Sequence, residues 1–309
     1  MKVLIGIFLI SLIGSGVMAQ RKSFEHESLK RTFTIHVPVF SDNPAKLPLI
    51  IALHGRGGNG KSMVLITRKS FNRFADRDGC LVVYPDGIER NWNDGRMDQE
   101  ARDRAHRENI DDTGFISALI DLMIKDYNAD PGKVCITGIS NGAIMAYLLA
   151  CKLSDKITSI APVDGNIPHL LLDECSPAMP VSVLAINNVN DPLVPYEGGN
   201  IYSRFRRLNL GKVLSVDESI MFWVNRNRCS ADPEVNEVTD ADPKDGTKVT
   251  KKEYLYGIAG TEVILYSVDG GGHTWPGGFQ YLPARLIGRT SRDFDASETI
   301  WSFFMKHSR

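Results

Sequence analysis

Ser140 stands between two glycines where the pattern of the chain changes. The stretch "VCITGISNGAIMAYLLAC", Val134 to Cys151, begins as a β-branched apolar run and continues with helix-forming residues. Gly138 and Gly142 flank the serine as GxSxG, and this strand, serine and helix order is typical of a sharp turn that exposes a nucleophilic hydroxyl. The alternative is a glycine-rich connection without chemistry. We predict that Ser140 is a nucleophile.

A serine nucleophile needs a histidine as base, and for this kind of turn the base follows the serine in the chain. His169, His273 and His307 do so. His307 lies in the terminal tail and His169 follows a proline in a loop. His273, in "DGGGHTWPGG", follows a predicted strand on a glycine-rich loop that lets its ring approach the serine. We predict His273 as the base.

A carboxylate must hold the histidine in the correct tautomer. Asp191 directly follows the apolar run of "VSVLAINNVNDPLVP", and Pro192 rigidifies that turn. Asp164 in "APVDGN" also ends a predicted strand, and Asp269 is near His273 in sequence, so both remain alternatives. We predict that Asp191 orients the base.

Acyl transfer also needs N–H donors for the oxyanion, usually one after the nucleophile and one from an early strand-to-helix loop. The segment "IIALHGRGGNG" supplies such a loop after a predicted strand. The predicted donors are the backbone N–H groups of Arg56 and Asn141. His54 is predicted to shape the loop and is a candidate for substrate contact.

The elements that must position these residues alternate between strands and helices. Apolar runs typical of buried strands alternate with helical stretches such as "TGFISALIDLMIKDYN". This order predicts an α/β fold with a mostly parallel central sheet and helices on both faces, which binds ligands at the carboxyl ends of its strands. The polar segment "DADPKDGTKVTKK", residues 240–252, is predicted to be a solvated loop. The seven predicted strands are "RTFTIHVPV", "LPLIIALHG", "CLVVYPDG", "VCITGIS", "ITSIAPVDG", "VSVLAINNV" and "EVILYSVDGGG".

Length and composition indicate one globular domain. The chain has 309 residues, of which 43% are hydrophobic and 24% charged, with a formal net charge of -1. That is enough apolar sequence for one substantial core. Since no long run of either charge occurs, neither nucleic acid nor an anionic membrane is expected as a partner.

The first residues have the pattern of a secretory signal. Lys2 precedes an apolar stretch from Val3 to Ile13, followed by small residues that end in "VMA". We predict a signal peptide at 1–19, a single catalytic domain at 20–309, and secretion to an extracellular or periplasmic location without membrane attachment after cleavage. The alternative is an uncleaved anchor, but the stretch is shorter than the roughly 18 to 20 residues that span a bilayer.

Five cysteines in an exported chain permit two disulfides. Cys80 and Cys135 fall inside predicted strands and are expected to be buried thiols. Cys151 and Cys175 flank a helix end and a loop and form the best candidate pair. The sequence alone leaves the connectivity open.

The early loop also fits a phosphate-binding pattern, since Gly55, Gly60, Lys61 and Ser62 match GxxxxGKS. An exported protein meets little nucleotide, and no acidic Mg²⁺ partner is evident in the sequence. We therefore favour the oxyanion interpretation. The dispersed histidines supply no metal cluster, and neither a metal nor a cofactor is expected.

Together these segments resemble the LpqC-type polyhydroxybutyrate depolymerase and feruloyl esterase family, secreted α/β-hydrolases of the carbohydrate esterase 1 kind. The resemblance implies the α/β-hydrolase fold, a triad of Ser140, Asp191 and His273, and oxyanion donors at Arg56 and Asn141. Relatives often have a small residue or cysteine at the position of Arg56. The matching segments, in chain order, are "LHGRGGN", "VVYPDG", "NWNDGR", "DDTGFISALID", "TGISNGAIMAYLLAC", "APVDGN", "NDPLVPYEGG" and "GGGHTWPGG".

Three further expectations concern a cysteine, two tryptophans and a set of polar residues, and the first follows from the resemblance. A cysteine expected within "YLYGIAGTEV" is absent, which leaves Cys229 without that partner. Trp92 and Trp275 lie in loops beside site segments, where an indole could stack on a sugar or an aromatic acyl group; packing of the loops is the alternative for Trp92. Polar residues are expected to organise the floor of the site through hydrogen bonds: Asn93, Asp94, Asp111 and Asp112.

The expected activity is hydrolysis of a carboxylic ester through an acyl-enzyme. Without an appended surface-binding module, feruloyl or acetyl-xylan esters, whether small molecules or linked to polysaccharide, are favoured over polyhydroxybutyrate and its oligomers. The alternatives are a peptidase of the same fold and a non-catalytic carbohydrate-binding protein.

Overall fold

A ten-stranded mixed sheet forms the centre of the molecule. The computed structural model describes residues 19–38, 45–96, 103–203 and 208–307, so the predicted signal peptide lies, except for Ala19, outside the described residues. The strands are β1 (Gln20–His26), β2 (Leu29–His36), β3 (Leu47–Leu53), β4 (Leu81–Pro85), β5 (Ala129–Ile139), β6 (Ser159–Val163), β7 (Ser182–Asn188), β8 (Gly199–Tyr202), β9 (Asn209–Val213), β10 (Glu234–Glu237), β11 (Lys248–Tyr254) and β12 (Val263–Asp269).

The middle of the sheet is parallel and its two edges are antiparallel. The strand order is β1-β2-β4-β3-β5-β6-β7-β12-β11-β10, and β8 pairs with β9 in a separate hairpin. The six strands from β4 to β12 in this order run parallel, whereas β1, β2, β10 and β11 pair antiparallel. The carboxyl ends of the six parallel strands therefore open on one edge, where β3, β5 and β7 deliver the segments that bear the predicted site.

Helices cover both faces of the sheet. Alternate residues of β3 point to opposite sides, with Leu49 and Ile51 in one core cluster and Ile50 in the other. Residues of α4, α5 and α6 pack in the first cluster, and residues of α1, α2 and α8 pack in the second. The helices are α1 (Gly60–Ile66), α2 (Ser70–Asp78), α3 (Arg104–Arg107), α4 (Asp112–Tyr127), α5 (Asn141–Lys152), α6 (Val216–Asn227), α7 (Ala284–Ile287) and α8 (Ala296–Lys306).

This architecture confirms the predicted α/β fold with a mostly parallel sheet. The loop prediction for residues 240–252 is wrong at its end, because Lys248–Tyr254 forms β11 and pairs with β12. Antiparallel strands can face water on one side and carry polar residues there, so β11, the second strand from the edge, lacks the continuous apolar run that marks the central strands. Only Val249 and Tyr254 of β11 are buried.

The cysteines behave as predicted. Cys151 at the end of α5 and Cys175 form a disulfide. Cys80 and Cys135 are buried free thiols, and Cys229 is a partly buried free thiol. Across the ranges that the structure describes, none of the helices combines the length and the hydropathy needed to cross a bilayer.

Candidate active site

Ser140 occupies the turn between β5 and α5. Its backbone has a positive φ, which residues other than glycine rarely adopt. Its φ is 59° and its ψ is -125°, and its N–H donates to the Val163 carbonyl at 2.9 Å. A Cβ at Gly142 would lie 2.5 Å from the Leu53 carbonyl oxygen, so α5 approaches β3 too closely for any side chain there. The surrounding strands thus hold the serine in a strained turn, as nucleophile turns require.

His273 forms a short contact with Asp191. Its Nδ1 lies 2.6 Å from Asp191 Oδ2, and both side chains are buried. Asp191 Oδ1 accepts the backbone N–H groups of Leu193 and Val194 at 2.7 and 3.0 Å, which fixes the carboxylate. With Nδ1–H donating to Asp191, Nε2 remains free of a proton and can act as a base.

The His273 loop depends on glycine at a close crossing of two backbone segments. A Cβ at Gly272 would lie 2.2 Å from the Gly288 Cα. The His273 carbonyl accepts the Tyr281 hydroxyl at 2.9 Å. Contacts with residues 281–288 therefore fix the loop after β12, and this loop carries the His273 imidazole.

Asp164 places a second carboxyl group beside the imidazole. Its Oδ2 lies 4.0 Å from His273 Nδ1 and accepts the N–H of Thr274 at 2.9 Å. Asn188 donates to Asp164 through both its backbone and its side chain. Burial and the neighbouring Asp191 raise the pKa of Asp164. Asp164 thus ties the ends of β6 and β7 to the His273 loop.

Asp164, Asp191 and His273 also meet the distance requirement for a metal site, because one ligand atom from each lies within 4.8 Å of the others. Their oxygens already accept N–H groups, as described above. Hydrogen bonding therefore accounts for this cluster without a metal. His26, Glu27 and Asp111 form a second group with the same spacing, at the protein surface.

Ser140 and His273 line one cavity of about 680 Å³ at the carboxyl edge of the sheet. The surface of its lining is mainly apolar. Three arginines also line it, Arg56, Arg90 and Arg96. The apolar lining consists of Leu65, Ile66, Ile139, Ile144, Leu193, Val194, Ile201, Leu210, Leu282, Leu286 and Ile287, with Tyr202 and Tyr281.

The two predicted oxyanion donors flank the serine. Asn141 is the first residue of α5, where helix N–H groups lack intrahelical acceptors and carry partial positive charge. Arg56 follows Gly55, whose Cβ, if present, would lie 3.3 Å from Ser140 Cβ. Within the described ranges, no acceptor is found for the N–H of Arg56 or Asn141. Both groups are therefore available to a negatively charged oxygen.

A buried ionic network holds the Asn141 side chain. Asp94 is fully buried and accepts Asn141 Nδ2 at 2.5 Å, and Arg96 binds the same carboxylate through Nε and Nη2. His106 Nε2 lies 3.1 Å from Asp94, and its Nδ1 lies 2.9 Å from Asp103. Burial lowers the pKa of His106, but the hydrogen bonds to Asp103 and Asp94 outweigh it and raise the pKa to about 9.

This network was only partly predicted. The motif "NWNDGR" indicated a structural role for Asn93 and Asp94, and Asp94 has one. Arg96 and His106 were missed, because nothing in their local sequence indicates that a loop carries them to Asn141. Of the other predicted floor residues, Asp112 is buried and accepts Arg31 and the Asn93 N–H.

Asp111 differs from its predicted role. It caps α4 by accepting the Gly114 N–H, and it is partly exposed.

The three candidates for substrate contact are buried instead, which agrees with the packing alternative for Trp92 and with the loop-shaping role predicted for His54. Trp92 and Trp275 are fully buried, and their indole N–H groups donate to the His54 carbonyl and to Ser297 Oγ. His54 is also fully buried; its Nε2 accepts the Gly87 N–H, and burial lowers its pKa to about 4. None of the three lines the cavity: Trp92 packs against His54 in one core cluster, and Trp275 packs in the other.

The phosphate-binding pattern has a structural role instead. Asn59 and Ser62 form the capping box of α1, and Gly60 N–H donates to Asp86 at 2.8 Å. A carboxylate thus occupies the N-terminus of the helix, where a phosphate would need free N–H groups.

Comparison with known proteins identifies esterases as relatives, although no family model matches the chain. NocK of Nocardia uniformis subsp. tsuyamanensis, which its name assigns to the esterases, is 28% identical over 288 residues, covering 89% of this chain and 79% of the relative. "Probable feruloyl esterase C" of Aspergillus niger is 24% identical, covering 91% of this chain and 86% of the relative. An acetylxylan esterase of Coprinopsis cinerea is also 24% identical, covering 85% and 71%.

Solved esterase structures share the fold. An acetyl xylan esterase from Aspergillus awamori superposes with a TM-score of 0.55 at 14% identity, covering 82% of this chain and 94% of that chain. A thermostable esterase gives the same TM-score and identity, covering 94% of this chain and 63% of that chain. The chain thus has the α/β-hydrolase fold, and its relatives support the expectation of a carboxylic ester hydrolase.

Proposed function

We propose that the protein is a secreted serine esterase that acts through an acyl-enzyme. The observation that carries the proposal is that Ser140 and His273 line the same cavity while Asp191 binds the far side of the imidazole. A serine, a histidine and a carboxylate in this order form the relay that activates a hydroxyl for attack on a carbonyl.

In the proposed mechanism, His273 Nε2 takes the Ser140 proton as the hydroxyl attacks the ester carbonyl. The N–H groups of Arg56 and Asn141 stabilise the oxyanion. Protonated His273 then gives its proton to the leaving alcohol, and water attacks the acyl-enzyme through the same base. Asp191 keeps the proton on Nδ1 throughout.

Plant-wall esters are the proposed substrates. Relatives named as feruloyl and acetylxylan esterases support the choice of feruloyl or acetyl-xylan esters, soluble or linked to polysaccharide. The aliphatic lining of the cavity favours a second candidate, oligomers of hydroxybutyrate, whose acyl groups are aliphatic. The signal pattern at residues 1–19 supports secretion.

The proposal is tested by changing Ser140→Ala and measuring hydrolysis of methyl ferulate, acetylated xylan and hydroxybutyrate oligomers. Loss of the nucleophile should lower kcat by about 10⁴ to 10⁶. Wild type, but not the variant, should also react with a fluorophosphonate probe. A variant that retains kcat within tenfold would contradict the mechanism, and xylan retention by an inert wild type would favour the carbohydrate-binding alternative.

A further inference from the structure

The cavity combines an aliphatic lining with an excess of positive charge. Its described lining residues include three arginines, Arg56, Arg90 and Arg96, and no aspartate or glutamate. Neutral acyl groups such as acetyl need no such charge. Hydrolysis of neutral esters therefore does not explain the positive charge of the cavity lining.

One of the three cations is already neutralised. Arg96 binds Asp94 through two nitrogens, and its Nη1 donates to the Leu210 carbonyl at 2.8 Å. Both side chains are buried. This pair belongs to the network that holds Asn141, so its charge contributes little net attraction inside the cavity.

Arg56 is only loosely paired. Its Nη2 lies 4.0 Å from Asp103 Oδ2, beyond hydrogen-bond distance, and its side chain is 39% exposed. Asp103 uses its other oxygen for His106. Burial lowers the pKa of Arg56, and the charges of Asp103 and Asp94 oppose this effect.

Arg90 is exposed and contacts the loop that carries Arg56. Its Nε donates to the Gly58 carbonyl at 3.3 Å, and its own carbonyl accepts the Gly57 N–H at 2.8 Å. Within the ranges that the structure describes, no carboxylate forms an ion pair with it. Arg56 and Arg90 thus present two guanidinium groups at the oxyanion loop, and guanidinium binds carboxylates through paired, charge-assisted hydrogen bonds.

We propose that the cavity selects esters that carry a carboxylate in addition to the scissile ester, with Arg56 and Arg90 as its receptors. A monoanion neutralises the charge of one guanidinium, and its aliphatic chain contacts the apolar lining. This inference rests on the proposed esterase function and narrows its substrate class.

Matched ester pairs test the inference. Methyl hydrogen adipate and methyl hexanoate differ in a carboxylate on the acyl side, whereas 6-acetoxyhexanoate and hexyl acetate differ in one on the alcohol side. In wild type, kcat/KM should favour the anionic member of at least one pair by about tenfold or more, as expected for a hydrogen bond between charged groups. The preference should decrease as salt screens the partly exposed arginines.

Variants assign the preference to residues. Arg56→Gln and Arg90→Gln should each reduce the anionic-to-neutral ratio about tenfold, whereas Arg90→Lys should retain part of it. Arg77→Gln, on α2 and paired with Asp78, is the matched control and should leave the ratio unchanged. The ratio cancels any general loss of rate, which matters because the Arg56 backbone is a proposed oxyanion donor.

The outcomes separate the two proposals. Hydrolysis of neutral esters with a ratio near one, or a ratio that neither arginine variant changes, would overturn the inference and leave the esterase intact. If wild type hydrolyses no ester and does not react with fluorophosphonate, the esterase proposal fails and the inference fails with it.

Discussion

His273 contacts one carboxyl group directly and has another close by. Asp191 lies 2.6 Å from Nδ1, and Asp164 lies 4.0 Å from the same atom. Only the nearer group is within hydrogen-bond distance, so Asp191 is the residue that can fix the tautomer. Asp164 instead accepts the Thr274 N–H and so positions the loop that carries the ring.

This difference predicts unequal effects of removing each charge. Asp191→Asn should lower kcat by about 10³ to 10⁴, because the wrong tautomer then faces Ser140. Asp164→Asn should lower kcat by about tenfold or less, with some loss of stability from its buried hydrogen bonds. Steady-state kinetics on one soluble ester measure both. A larger kcat loss for Asp164→Asn would make Asp164 the orienting carboxylate.

The acidic limb of the pH profile follows from the charge around His273. Burial lowers its pKa, but the charge and hydrogen bond of Asp191 and the charge of Asp164 outweigh burial and raise it above 6.5. Since only neutral imidazole acts as a base, kcat/KM should fall as pH decreases through a midpoint above 6.5. Asp191→Asn should move the midpoint downward. A wild-type midpoint at or below 6.5 would contradict this.

The positions of the proposed triad residues were easier to predict from the sequence than the residues that line the cavity. Ser140, Asp191 and His273 each follow a strand in a recognisable local pattern, and the structure brings their segments to one edge. The indole at 275 was predicted in the wrong place, and the indole at 92 packs as its alternative had it, because a loop position does not show what the rest of the chain packs over it. The aliphatic lining of the cavity comes from segments as far apart as Leu65 and Ile287, which no local pattern relates.

At the scale of elements, the turn at Ser140 depends on close contact between β3, β5 and α5. A Cβ at Gly142 would lie 2.5 Å from the Leu53 carbonyl oxygen and 2.6 Å from the His54 carbonyl oxygen. Any side chain there must push α5 away from β3. Since β3 leads to Arg56 and α5 begins at Asn141, that displacement would separate the two proposed oxyanion donors.

Gly142→Ala should therefore lower both stability and activity. Overpacking at this crossing should reduce the free energy of unfolding by about 1–3 kcal/mol, and kcat should fall at least tenfold. Gly79→Ala is the control: its φ is 73° with nothing near the new Cβ, so only backbone strain of about 1 kcal/mol is expected. Denaturant unfolding and kinetics measure both, and equal kcat in the two variants would argue against the crossing as the determinant.

The sheet was predictable at its centre and not at its edges. Central strands such as β5 and β7 are buried on both faces and read as apolar runs. β1, β10 and β11 are partly exposed and carry charged residues. Their own sequences therefore do not identify them as strands, and only their pairing with neighbouring strands does. The strands that the sequence did not predict lie away from the site, because the site lies at the carboxyl ends of the central strands.

At the scale of the whole molecule, the disulfide links the far end of α5, the helix that follows Ser140, to the loop after β6. Cys151 lies 11 residues beyond Ser140 along α5, roughly 16 Å at 1.5 Å per residue. The bond between Cys151 and Cys175 spans a sequence separation of 24. It therefore constrains the fold without contacting the reacting groups, and disulfides of this kind persist in oxidising compartments.

The double variant Cys151→Ala/Cys175→Ala should lower the free energy of unfolding by about 3–4 kcal/mol, because the cross-link restricts the unfolded chain. Its kcat at 25 °C should remain close to that of wild type. Reductant should bring wild type to the stability of the variant, whereas Cys229→Ala, which removes a free thiol, should retain the reductant response. If the double variant unfolds at the wild-type denaturant concentration, stability does not depend on the bond; if its kcat collapses while it remains folded, the far end of α5 controls the geometry at Ser140 after all.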